Sequence, residues 1–155
     1  MIRKAEYKDI DEVLRLLVQV NDVHAAGRPD LFIEGHTKYT AVELERIFAD
    51  PSTPVFVDAD EEGHILGYCF CMIQDNTRSR HLRRIKTLYI DDLCVDENVR
   101  GKSVGRRLYE YVREYALAEG CYNLTLNVWE RNEKAMGFYR RMGLVTQKTC
   151  LETIL

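Results

Sequence analysis

Apolar positions along the chain alternate between two periods. Ile10, Val13, Leu14, Leu17 and Val20 recur at steps of three and four, the spacing of one helix face, and predict a helix from Asp9 to about Val23. Asp9 followed by Glu12 reads as its capping box. Ala41, Leu44, Ile47 and Phe48 repeat the pattern after Thr40 and Glu43, a second capping box, and Pro51 and Pro54 end that helix. Gly27-Arg28-Pro29-Asp30-Leu31-Phe32 must be a loop between the two, because Pro29 lacks a donor and disfavours helical geometry at Arg28. Its Leu31 and Phe32 are expected to pack either over a pocket or against the edge of the core.

Period-two and continuous apolar runs mark the strands. They predict a first strand over residues 1–7, one starting at Val55, and a return from Ile65 to Ile73 after the turn at Asp60-Glu61-Glu62-Gly63. Cys69 and Cys71 share one face there and Phe70 and Met72 the other, so this strand should be covered on both sides, with the cysteines as small core residues. A polar connection over 74–84 carries Arg78, Arg80, Arg83 and Arg84 and reads as a solvated hairpin end. A strand over 86–95 follows, then a helix to about Glu119 that buries Val104, Leu108, Tyr111, Val112 and Tyr115 and closes at Gly120. Cys121 to Trp129 reads as a strand. Glu133 to Met142 reads as a helix capped by Asn132 and followed by Gly143, and Leu144 to Leu155 as a last strand. The order βααβββαβαβ predicts a single α/β domain over residues 1–155, a mixed sheet with helices on both faces.

Composition removes several classes of function. A formal net charge of -3 argues against a protein whose main partner is nucleic acid. No apolar run approaches the ~20 residues that cross a bilayer, and the charged start Ile2-Arg3-Lys4-Ala5-Glu6 is no signal peptide. Five cysteines without a Cys-x-x-Cys pair suit reduced thiols in a cytoplasm. The four histidines are scattered, so no metal site is expected.

The chemistry concentrates in Leu88 to Leu108, an apolar run, a small and basic turn, and an amphipathic helix. Backbone N–H groups at a helix start, flanked by guanidinium groups, suit a phosphate. Gly101-Lys102-Ser103 imitates the end of a Walker A loop, but Asp96 stands where its first glycine belongs and, with Glu97, would repel a triphosphate. Arg100 to Gly105 instead resembles the R-x-x-G-x-G motif of the GNAT superfamily of N-acetyltransferases, with Ser103 in place of the middle glycine. Asn132 to Leu144 resembles that family's second signature, N-x-x-A-x-x-F-Y-x-x-x-G-[FL].

That resemblance implies a sheet splayed between its fourth and fifth strands, with acetyl-CoA as cosubstrate in the opening. It implies that the turn from Arg100 through Gly101, Lys102, Ser103, Val104, Gly105 and Arg106 holds the pyrophosphate. It assigns the pantetheine arm to the backbone of Leu93, Cys94 and Val95, and further contacts to Asn132, Ala135 and Phe138. Ser103 is expected to crowd the phosphates and weaken binding. Tyr139 matches the family's general acid, a phenol still protonated at neutral pH. Asp91 and Asp92 are candidates for the base that takes the acceptor's proton, with Glu130 as another. The acidic pair resembles that of diamine acetyltransferases and suits a small cationic amine; a protein N-terminus is the alternative acceptor. Asp30, Phe32, Trp129 and Glu130 are expected to line the acceptor wall, with His24 and Tyr7 as further lining. A CoA-binding regulatory protein without turnover is the alternative from another class, motivated by Ser103. Tyr109, read as an exposed aromatic, and the last strand suggest a homodimer surface.

Overall fold

The structure, a computed structural model, describes residues 1–76 and 78–155; position 77, within the basic connection, lies outside them. Five strands, β1 (Ile2–Lys4), β2 (Val55–Ala59), β3 (Ile65–Asp75), β4 (Lys86–Val95) and β5 (Asn123–Leu126), form one sheet in the order β1-β2-β3-β4-β5. Every pairing is antiparallel except that of β4 with β5. Helices α1 (Ile10–Gly27) and α2 (Ala41–Ala49) cover one face, and α3 (Val104–Ala118) and α4 (Glu133–Arg141) the other.

β3 is buried on both sides, as its two apolar parities predict. Tyr68 and Phe70 join Val13, Leu16, Leu17 and Leu44 on the α1–α2 side, whereas Cys69 and Cys71 join Tyr109, Val112 and Ala116 beneath α3. α3 crosses β3 closely at Gly67, where a Cβ would fall 2.7 Å from the Cys94 carbonyl oxygen and 3.1 Å from Leu108.

The helix ends separate good signals from competed ones. The Thr40–Glu43 capping box forms, and Gly120 and Gly143 follow their helices with positive φ. The Asp9–Glu12 box does not. Arg3 takes the Asp9 carboxylate in a bidentate pair at 2.6 and 2.8 Å, and the same group accepts the Glu6 N–H, closing a 3-10 turn over Tyr7–Asp9 ahead of α1. α1 also runs to Gly27, beyond the predicted end at Val23.

Three further expectations are corrected. On α3, Tyr109 is buried at 7% exposure, while Tyr111 lies at the rim with its ring on Phe56, so Tyr109 offers no dimer surface. The strand expected over Cys121–Trp129 is only Asn123–Leu126. Leu144–Leu155 forms no strand: Val145, Leu151 and Ile154 are exposed, and no neighbouring edge among the described residues bonds this segment. A strand-like sequence becomes a strand only when an edge pairs with it. Arg28 and Glu152 tie the segment to the end of α1.

Candidate active site

The site begins where β5 stops. β4 and β5 pair from Thr87↔Asn123 to Ile90↔Leu126, after which β4 continues to Val95 with β3 as its partner. The expected splay between the fourth and fifth strands therefore opens after Ile90. A β-bulge lies at the same place: Cys71 faces Ile90 and Phe70 faces Asp92, which leaves Asp91 as the extra residue.

The bulge resets the alternation of side chains, so both carboxylates turn toward the α1–α2 side. Asp92 accepts a hydrogen bond from the Tyr68 hydroxyl at 2.8 Å. Asp91 Oδ2 accepts from Lys38 Nζ at 2.6 Å and from the Tyr39 hydroxyl at 3.1 Å, both from the loop between α1 and α2. Asp92 is intermediate in overall exposure, yet its carboxyl is sunk deeply enough that desolvation pushes its pKa up to about 6. The Tyr68 hydrogen bond and the Lys38 charge offset part of that rise. Such a carboxyl can exchange protons near neutrality.

Tyr139 approaches from α4 and is buried. Burial, then the proximity of Cys69 and Asp92, raises its pKa well above the usual phenol range, so it is a protonated donor. Leu93 faces the α3–α4 side of β4, and Cys94 the opposite side, where burial pushes its thiol up to about 12 and leaves it no nucleophile. Gln19, unmarked in the sequence reading, donates to the Val95 carbonyl at 3.0 Å and accepts the Glu97 N–H at 3.1 Å. The Val95 carbonyl is thus already engaged, and the Cys94 carbonyl points at β3 beside Gly67, which leaves Leu93 as the stronger candidate for a ligand's amide groups.

Beyond Val95 the chain makes the basic turn. Gly101 has φ +84°, and Ser103 has φ 61° and ψ 15°, a left-handed conformation that costs an L-residue ~1–2 kcal/mol. Ser103 makes no cap hydrogen bond. The departure from glycine therefore acts on the backbone, in addition to the expected crowding. The first N–H satisfied at the start of α3 belongs to Arg107, which donates to Ser103 O at 3.0 Å. Those of Val104, Gly105 and Arg106 precede it and lack intrahelical acceptors, and the first turn contains no acidic residue. Arg107 steadies the turn, donating to the Lys102 carbonyl at 2.8 Å and to buried Asp58 at 2.6 and 3.1 Å. Arg106 pairs outward with Glu110, and Arg100 and Lys102 are exposed.

The two signatures meet at Gly105. A Cβ there would stand 3.3 Å from Val95 and 3.6 Å from Phe138, so the absent side chain lets the turn and α4 pack together. The Asn132 side chain accepts the Ala135 N–H at 3.1 Å, which makes these residues the cap of α4. Phe138 packs edge-on to Tyr139 at 5.0 Å.

The wall expected to meet the acceptor is aromatic. Phe32 lies 5.1 Å from the His24 ring and 5.5 Å from Trp129, and the Arg28 guanidinium sits 6.0 Å over Trp129. Desolvation, then the Lys38 charge, lowers the His24 pKa, which ties this wall electrostatically to the Asp91 pair. Asp30 is held outward by Arg28, Glu130 is exposed in the turn before α4, and Tyr7 is exposed on the 3-10 turn. Lys38 and Tyr39 were not legible as site residues, because their spacing carries no motif. Tyr68 could have been found from its parity opposite Cys69. Among the described residues no cluster of metal-ligating side chains occurs and no helix is long and apolar enough to cross a membrane.

Comparison with known proteins agrees with this fold. The family model described as the acetyltransferase (GNAT) family matches residues 19–144. The chain is 28% identical over 153 residues to the thialysine N-epsilon-acetyltransferase of Bos taurus, covering 92% of this chain and 82% of that protein. It is 27% identical over 143 residues to the peptidyl-lysine N-acetyltransferase YjaB of Escherichia coli, covering 92% and 80%. Among solved structures, a tetramutant of the BH1408 protein of Bacillus halodurans superposes with a TM-score of 0.94 at 32% identity, covering 100% of this chain and 99% of that one.

Proposed function

Because this chain belongs to the GNAT acetyltransferase family, we propose that it transfers an acetyl group from acetyl-CoA to a primary amine that arrives as a cation, by direct attack in a ternary complex. The observation that carries the acceptor is the Asp91 carboxylate at the bulge, which already holds a primary ammonium, that of Lys38, at 2.6 Å. The names of the thialysine and peptidyl-lysine relatives describe acceptors of the same chemical kind.

The residues present fit acetyl-CoA. The edge of β4 beyond Ile90 can pair with amide groups in an extended arm, and the N–H groups of Val104, Gly105 and Arg106, without intrahelical acceptors, can receive an anion, with Arg100 and Lys102 beside them in sequence. When bound, acetyl-CoA supplies the acetyl group as an activated thioester. Asp91 seats the acceptor ammonium, and Asp92 takes its proton directly or through water. The backbone N–H of Leu93, on the open edge of β4, polarises the acetyl carbonyl. Tyr139 gives its hydroxyl proton to the departing sulfur. The Phe32–Trp129 wall shields the acceptor's carbon chain from water.

Calorimetry tests the donor half. Acetyl-CoA is expected to bind and ATP is not; the reverse would sink the assignment. Ser103→Gly relieves the left-handed strain but adds backbone entropy of ~0.5–1 kcal/mol, leaving a net gain in stability of about 0.5 kcal/mol. It also clears the phosphate side of the turn, so acetyl-CoA is expected to bind about threefold tighter, or ~0.6 kcal/mol. Unchanged or weaker binding would contradict a pyrophosphate seat at this turn.

A further inference from the structure

At the bulge, Lys38 supplies a side chain whose chemistry matches that of the proposed acceptor. Its Nζ is a primary amine, 2.6 Å from Asp91 Oδ2 and 5.3 Å from the centre of the Tyr39 ring. Tyr39 in turn stacks on Phe70, with ring centres 5.6 Å apart, and Phe70 lies opposite Asp92 at the bulge. The ammonium is therefore held at the bulge by the Asp91 carboxylate and over the ring of Tyr39, whose hydroxyl donates to that same carboxylate. Lys38 remains half exposed and lies in the loop between α1 and α2, outside any helix or strand that would fix its backbone. Its charge is felt by Asp92, and that of Asp92 by Tyr139. The amine, the base and the acid thus lie within one connected electrostatic group.

From this arrangement we infer that Lys38 is itself an acetyl acceptor, and that the protein acetylates its own Lys38 in cis. The inference rests on the reading of the site given above. One proton leaves the Lys38 ammonium through Asp91 or Asp92 to solvent. The freed Nζ lone pair attacks the thioester carbonyl carbon, the C–N bond forms, and the C–S bond breaks. The sulfur leaves with its bonding electrons and takes the Tyr139 hydroxyl proton. The second proton shed by Nζ restores Tyr139 by way of solvent. The products are Nε-acetyl-Lys38, free CoA thiol and one released proton. The new amide carries no charge, so its ion pair with Asp91 is lost and that carboxylate becomes open to an external cation.

The test is incubation of the full chain with acetyl-CoA, followed by intact mass and peptide mapping. One acetyl group is expected, at Lys38, appearing about tenfold or more faster than at any other lysine because the amine is already positioned. Its first-order rate should not change with protein concentration, desulfo-CoA should suppress it, and Lys38→Arg should abolish it. Acetylation that resists desulfo-CoA or scatters over many lysines would be chemical background and would overturn the inference. Acetylation of an added amine with Lys38 unmodified would overturn it while leaving the proposed function intact. Modification of neither would remove both. A readout on the free protein is trace labelling with acetic anhydride: Asp91→Asn is expected to speed labelling of Lys38 about threefold, since an exposed ion pair is worth up to ~1 kcal/mol. Labelling that Asp91→Asn leaves unchanged would show that the amine does not sit at Asp91, and the inference would fall.

Discussion

Tyr139→Phe is expected to lower kcat about a hundredfold, equivalent to ~2.7 kcal/mol, while KM for acetyl-CoA stays within about twofold. The substitution removes one oxygen from a ring that is buried and packed against Phe138, so the fold should be kept. What is lost is a buried proton donor within electrostatic reach of Asp92. The departing thiolate must then take its proton from water. Because burial holds the Tyr139 phenol protonated across the working range, its loss should leave the acid limb of the pH profile in place. Steady-state kinetics on wild type and variant decide the matter; turnover equal to wild type would remove Tyr139 from the general-acid role.

Asp92→Asn should produce a loss of similar size, with a different pH signature. With the Asp92 pKa near 6, wild-type kcat/KM is expected to fall about tenfold per unit below that pH, as the base becomes protonated. In the variant kcat/KM should be about a hundredfold lower at neutral pH and should lose that limb. Stability moves the other way. The folded pKa lies above the ordinary carboxylate value, so the fold favours the neutral form, fully so below the unfolded pKa of ~3.9. That advantage disappears as pH rises through about 6. At neutral pH the amide removes the cost of a buried charge and can still accept the Tyr68 hydrogen bond, so the variant should unfold at the same temperature as wild type or higher. Retention of the acid limb in Asp92→Asn would place the essential base elsewhere.

The donor half of the site was more legible in the sequence than the acceptor half. Arg100–Gly105 and Asn132–Leu144 are local patterns, and local patterns fix local geometry: a turn with left-handed positions, a capped helix, an aromatic pair. The elements with strong periodicity, α1, β3 and β4, emerged for the same reason. The acceptor half depends on where the chain returns in space. Lys38 and Tyr39 reach Asp91 from 53 and 52 positions away, and no local spacing announces that meeting. Asp91 and Asp92 were marked by type, but their shared orientation waits on the bulge, which arises from the register of two strands. Asp9 failed as a cap because Arg3 competes for it, and Leu144–Leu155 failed as a strand because no edge among the described residues bonds it. In both cases the local preference was sound and a nonlocal partner, present or missing, decided the outcome.

The proposed function seats a cationic primary amine on Asp91 and gives it the acetyl group of acetyl-CoA. Its most direct test is CoA release from acetyl-CoA with thialysine, a lysine-containing peptide, a diamine and a neutral aromatic amine, measured for wild type and Asp91→Asn. Turnover is expected with the cationic amines and little with the neutral one, with KM for the cations raised about tenfold by Asp91→Asn, the loss of ~1.4 kcal/mol of charged hydrogen bonding, while KM for acetyl-CoA is unchanged. Equal KM values for the cations in wild type and variant, or turnover with the neutral amine alone, would contradict it.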